Sequence, residues 1–177
     1  MAKKKPSLSS TVVSFMSPER QAQIDAEDKG FSTLPLDSIL PDPNQPRRLL
    51  PGDLAKAVAT NTLSRLETLK EWIQRAEADT ALPTLRYNIR ELKRLADSIE
   101  RHGLISPISV RKPRLDETIP PGTNYLIVTG ERRYWAHVYL VSEDKQIREG
   151  ETTSDPAQIK AIIAFCNSNY RAASIKM

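Results

Sequence analysis

The most regular stretch of hydrophobic and polar positions runs from Ile89 to Gly103. Ile89, Leu92, Leu95, Ala96 and Ile99 fall on one face at helical spacing, which predicts an amphipathic α-helix. Arg90, Lys93, Arg94 and Arg101 lie largely off that stripe, and Gly103 is placed to end the helix in a left-handed conformation. In Leu104 to Val110, Ile108 and Val110 share one face, as a strand requires. Tyr125-Leu126-Ile127-Val128 is almost continuously apolar and suits a strand covered on both faces. Glu131 to Ser142 reads as a helix. Ile159 to Phe165 is a last apolar run, either strand or helix.

The first half of the chain is more broken. Residues 1 to about 16 are polar, serine-rich and basic, the composition of a disordered tail. Ser17-Pro18-Glu19 looks like a helix start, with Gly30 placed to end it. Leu34 to Leu40 reads as one short edge strand, its pairing restricted by Pro35. Pro41 to Pro46 holds three prolines and predicts a stiff extended loop. Asp53 to Asp79 carries apolar residues at helical spacing with Asp53 as its cap; Thr60, Asn61 and Thr62 leave open whether it is one helix or two. Pro83 closes it. Lys112 to Thr123 is a proline-rich linker. The whole predicts an α/β (α+β) domain, a small mixed sheet with flanking helices. Its expected limits are a tail and short helix over 1–30, a core domain over 31–165 with a helical insertion at 49–88, and a C-terminal tail over 166–177.

Composition narrows the setting. With 39% hydrophobic residues in 177, a sizeable core is possible. The single cysteine, Cys166, excludes an internal disulfide and makes a cytoplasmic location the simpler expectation. No apolar stretch approaches the ~20 residues needed to span a bilayer. Lys3-Lys4-Lys5 is not followed by the apolar run of a secretory signal. The net charge of +4 permits a nucleic-acid partner without demanding one. Between Arg86 and Arg114, eight basic residues face three acidic ones, a local net charge of +5. Arg90, Lys93, Arg94 and Arg101 are the DNA-contact candidates there; a solvated face is the other reading.

The candidate chemistry sits where the buried strand meets the last helix. Gly130 can take a tight turn and lets backbone approach a ligand. The first amides of a helix lie outside its own hydrogen-bond ladder and, with its dipole, favour an anion. Arg132 and Arg133 add planar donors suited to phosphate. Glu131 opposes that charge, unless it holds a magnesium ion beside phosphates. A second constellation, Gln45-Pro46-Arg47-Arg48, presents an amide and two guanidiniums from stiff backbone. Taken singly, each block also reads as solvated polar surface.

Three blocks occur in a telling order: Asn44-Gln45-Pro46-Arg47; Leu92 to Arg111, which holds Leu95-Ala96-Asp97-Ser98-Ile99, His102-Gly103-Leu104 and Pro107-Ile108-Ser109-Val110-Arg111; and Val128 to Ala136, which holds Gly130-Glu131-Arg132-Arg133. They resemble the family pattern "QPR", "LAxSIxxHGLxxPIxVR", "GERRxxA" of the ParB N-terminal domain, in the superfamily shared with sulfiredoxin. The resemblance covers roughly residues 34–165. It implies a domain that binds CTP, with magnesium, and holds the triphosphate on Gly130, Glu131, Arg132 and Arg133. It implies that Gln45, Arg47, His102, Gly103 and Leu104 line the same pocket. It also implies a role in plasmid or chromosome partition, association with DNA, self-association as a dimer and a nucleoid or plasmid address.

The chain departs from that pattern in three ways. Leu49 to Asn88 intervenes where the family has a few residues. The second phosphate motif, "ENxQR", is not matched by Phe165-Cys166-Asn167-Ser168-Asn169-Tyr170-Arg171. The helix-turn-helix domain has no room. The expectation is a truncated or stand-alone member, with CTP turnover left open. Other functions remain in play. A metal-dependent nuclease would need clustered carboxylates or histidines, whereas His102 and His137 are isolated in sequence. A sulfiredoxin-like reductase would need a cysteine in the phosphate turn. The inserted helix, with Trp72 and Ile73, either docks a partner such as a partition ATPase or packs on its own domain.

Overall fold

The computed structural model describes residues 30–45, 49–78 and 80–164. The helix expected from Ser17 and the segment from Phe165 onward lie outside them.

Five strands form one mixed sheet. They are β1 (Ser32–Pro35), β2 (Ile39–Pro41), β3 (Ile108–Arg111), β4 (Tyr125–Thr129) and, last in the chain, β7 (Gln158–Ala164), in the order β1-β7-β3-β4-β2. β1 with β7 and β3 with β4 run antiparallel; β7 with β3 and β4 with β2 run parallel. A separate hairpin is made of β5 (Ile147–Glu149) and β6 (Thr152–Ser154).

The Leu34–Leu40 segment is therefore not one edge strand. β1 and β2 lie on opposite edges, joined by a single 3-10 turn, Leu36–Ser38. Ser38 Oγ donates to the Pro35 carbonyl at 2.8 Å and steadies that turn. A flat five-stranded sheet would hold its outer strands about 19 Å apart. The connection from Pro35 to Ile39 reaches about 14 Å at most. The sheet must curl, bringing its two edges toward each other.

The helices α1 (Gly52–Ala59), α2 (Arg65–Glu77), α3 (Pro83–His102) and α4 (Glu131–Ser142) pack on one another, with α1 against β2, α4 against β3 and α3 against β5 of the hairpin. The Asp53–Asp79 segment is two helices. Asn61 breaks it with a positive φ of 55°, and Ser64 restarts it with a reciprocal capping box to Glu67. Asp53 does not cap α1: it lies in the first turn, and its carboxylate pairs with Arg75 of α2 at 2.6 Å. The expected stripe of α3 is buried at Ile89, Leu92, Ala96 and Ile99.

Trp72 of α2 and Trp135 of α4 are both fully buried, in edge-to-face contact at 6.3 Å, and Tyr134 meets Trp135 at 5.4 Å. Trp72 is thus a core residue and not a docking residue. Arg65 fastens α2 to the sheet. Its Nη2 donates to the carbonyls of Asp37 at 2.7 Å and Ile39 at 2.9 Å, and its Nε donates to the Tyr134 hydroxyl. Ile159 and Ala161 of β7 are buried, and the last apolar run is a strand. Among the described residues no helix is long and apolar enough to cross a membrane.

Candidate nucleotide-binding cleft

β4 carries the chain from the sheet interior to Gly130, which opens α4. Leu126 and Ile127 are consecutive and both buried, so both faces of β4 are covered as its apolar run predicts. Gly130 has φ 99° and ψ 21°. A Cβ added there would stand 2.8 Å from Ile108 Cγ2, so glycine is required by backbone conformation and by space together. The Arg133 and Tyr134 amides donate back to the Gly130 carbonyl at 2.9 and 3.1 Å, which sets the first turn of α4. Tyr134, Trp135 and Ala136 anchor that helix in the core, while Arg132 is exposed and Arg133 is partly so. Neither arginine has an ion-pair partner among the described residues.

This turn borders a cleft of about 920 Å³. One wall is Ile127 to Arg133. A second is Pro41, Asp42, Gln45 and Leu49. The third is the face of α3 that presents Glu91, Arg94 and Leu95. Gln45 is seated on the cleft floor, where its Nε2 donates to the Val128 carbonyl and, at 3.0 Å, to the Ile127 carbonyl. Two acceptor carbonyls fix which end of the amide faces the strand. Glu131 Oε1 accepts from Trp135 Nε1 at 3.3 Å. Among the described residues no group of three or more His, Cys, Asp and Glu could hold a metal ion.

The structure brings Gln45, Gly130, Glu131, Arg132 and Arg133 together around one space. Arg47 lies outside the described residues. His102, Gly103 and Leu104 do not line the cleft: Gly103 ends α3 with φ 73° and ψ 177°, and its α-carbon faces Glu149 of the β5–β6 hairpin. That conformation is a glycine-only region distinct from the left-handed one expected. Leu104 is buried in the core and His102 is exposed.

Of the α3 cations, Arg90 and Arg94 have side chains 62% and 70% exposed. Lys93 pairs with Glu77 at 3.3 Å, and Arg94 with Glu91 at 2.9 Å. The placement of Glu91, Arg94 and Leu95 on the cleft was missed. They are a turn apart on α3, but only the fold reveals which neighbour that edge of the stripe meets.

Arg111, counted with the basic surface, belongs elsewhere. It is only 12% exposed and sits between Asp42 and Glu117, each at 2.7 Å. Hydrogen bonds from Arg111 hold the Glu117 carboxyl down to about 2, against the desolvation that would raise it.

His137 is buried in α4, where its Nδ1–H donates to the Pro156 carbonyl at 3.0 Å. Its Nε2 has no partner among the described residues. Burial holds its pKa below the usual imidazole range, with the Pro156 bond and Glu149 acting the other way.

Fold and cleft together define a small α+β domain whose site is a strand–glycine–helix turn flanked by a proline-rich loop. The model of the ParB N-terminal domain matches residues 55–164, and the chain belongs to that family. Among solved structures it is similar to the C-terminally truncated chromosome-partitioning protein ParB from Caulobacter crescentus, complexed with CTP-gamma-S. Identity is 21%, and the TM-score is 0.39 over 78% of this chain and 46% of that one. The chain thus spans less than half of that relative's length. No curated protein matches.

Proposed function

We propose that the cleft binds a nucleoside triphosphate, CTP by family resemblance, with its phosphates on the turn Gly130 to Arg133. The observation that carries this reading is the pair Arg132 and Arg133, set at a helix start on the rim of a 920 Å³ cleft without carboxylate partners among the described residues. Gln45 supplies a fixed amide where the loop meets β4. Glu131 stands at the same rim as one carboxylate. That suits magnesium, which is usually held by one or two carboxylates together with substrate phosphates.

The domain is proposed to act in plasmid or chromosome partition, in association with DNA and as a self-associating protein. A partition ATPase is a further candidate partner. The exposed guanidiniums of Arg90 and Arg94 support the DNA reading, with Arg101 exposed nearer the end of α3.

Calorimetry with CTP, ATP and GTP, with and without magnesium, tests the nucleotide. CTP binding is expected, weakened about 100-fold, or about 2.7 kcal/mol, in Arg132→Ala/Arg133→Ala. No binding of any of the three, or equal binding by the double variant, sinks the reading.

A further inference from the structure

Arg111 is the least exposed ion-paired cation among the described residues, and it does not itself line the cleft but holds Asp42, which does. Its Nη2 bridges Asp42 Oδ2 and Glu117 Oε1, and its Nη1 donates to Glu117 Oε2, all at 2.7 Å. The three side chains are 11 to 16% exposed. Asp42 passes this anchorage on. Its Oδ1 accepts from the Asn44 amide at 2.9 Å, and its carbonyl accepts from the Gln45 amide at 3.1 Å. Gln45 then reaches the Ile127 and Val128 carbonyls. Without the cation, two half-buried carboxylates would face each other and drive the loop outward.

We infer that Arg111 is a positioning residue for the cleft: by bridging Asp42 to Glu117 it sets the loop that seats Gln45 on β4. Its consequence for ligand rests on the nucleotide reading above. The planar fork of arginine suits the task, because two carboxylates on different segments are engaged at once. A lysine ammonium keeps the charge and loses the fork.

The test uses the full chain, with Arg111→Lys and, on the outer loop, Glu117→Gln. Hydrogen exchange is read at the Asn44 and Gln45 amides, beside calorimetry with magnesium CTP. Arg111→Lys is expected to speed exchange at both amides about tenfold, leave the amides of β4 and α4 unchanged, and raise the CTP Kd about tenfold. Glu117→Gln should shift the same readouts in the same direction, by about threefold.

Unchanged exchange at Asn44 and Gln45 in both variants overturns the inference. So does a rise spread evenly across the sheet, which marks a merely structural residue. Faster loop exchange with unaltered affinity for a nucleotide that the wild type binds overturns it as well. If the wild type binds no nucleotide, the function reading fails by itself, and the exchange arm still decides whether Arg111 positions the loop.

Discussion

Two glycine turns, at Gly103 and Gly130, look alike in sequence and differ in what they serve. Each adjoins a helix end, each has a positive φ, and each would bring an added Cβ against a neighbour. At Gly130 that neighbour is the Cγ2 methyl of Ile108 in the central strand β3, and the open side is the cleft. At Gly103 it is the Glu149 side chain, on a hairpin outside the cleft lining. One glycine therefore shapes a wall of the cleft, while the other closes a helix against the hairpin. A glycine in a motif states a backbone requirement; only the neighbours state its purpose.

Gly130→Ala is the harshest way to strain this contrast. Left-handed backbone and a 2.8 Å clash with a packed isoleucine should together cost about 3 kcal/mol. Urea unfolding should show that loss, and nucleotide binding should vanish at temperatures where the variant is still folded.

Gly103→Ala should cost about 2 kcal/mol, because its backbone region is glycine-only while the Glu149 side chain can move aside. Its nucleotide Kd should stay within about twofold of wild type, less than 0.5 kcal/mol. A large change in Kd would mean that the Gly103 turn and the cleft move as one unit, and the contrast would collapse.

His137 offers a milder probe of the same core. Its ring is kept neutral by burial, so its contribution to stability is whole above the unfolded value of about 6.5 and is lost as the pH falls below it. Between pH 7.5 and 5.5 the wild type should lose stability, read as a fall in the urea midpoint at unchanged slope. His137→Gln should flatten that dependence, whatever it does to overall stability; a slope equal to wild type would remove His137 as its source.

Glu117 should give the smallest signal near neutrality. Its depressed carboxyl stabilises the fold above the usual carboxylate range, and that contribution fades only as pH falls toward about 2. Arg111→Lys should shift the fade to higher pH in an acid titration followed by circular dichroism.

The local features of the fold were legible in the chain. The α3 stripe, the doubly covered β4 run and the span of α4 follow from hydrophobic spacing, because helix and strand periods are properties of neighbouring residues. What was illegible depends on partners far away in sequence. The Leu34–Leu40 run was continuous as a pattern, yet its halves pair with β7 and β4: Leu34 with Ile159, 125 residues downstream, and Ile39 with Tyr125, 86 residues downstream. Arg111 read as surface charge because Asp42, one of its two carboxylates, lies 69 residues back. The cleft lining was legible at Gly130 to Arg133 and at Gln45, where local backbone chemistry carries the signal. The α3 wall and the separation of the Gly103 turn follow from packing angles that spacing does not encode.

The curl of the sheet has a bearing on how the chain is made. β1 is among the first described segments to leave a ribosome, yet its partner β7 ends at Ala164. β3 and β4 can pair earlier, but the edge strand Ser32–Pro35 has no partner until nearly the whole domain has been synthesised. Closure of this sheet on its β1 edge therefore waits for β7 to be made, and a translation pause before Gln158 would leave Ser32–Pro35 without its partner.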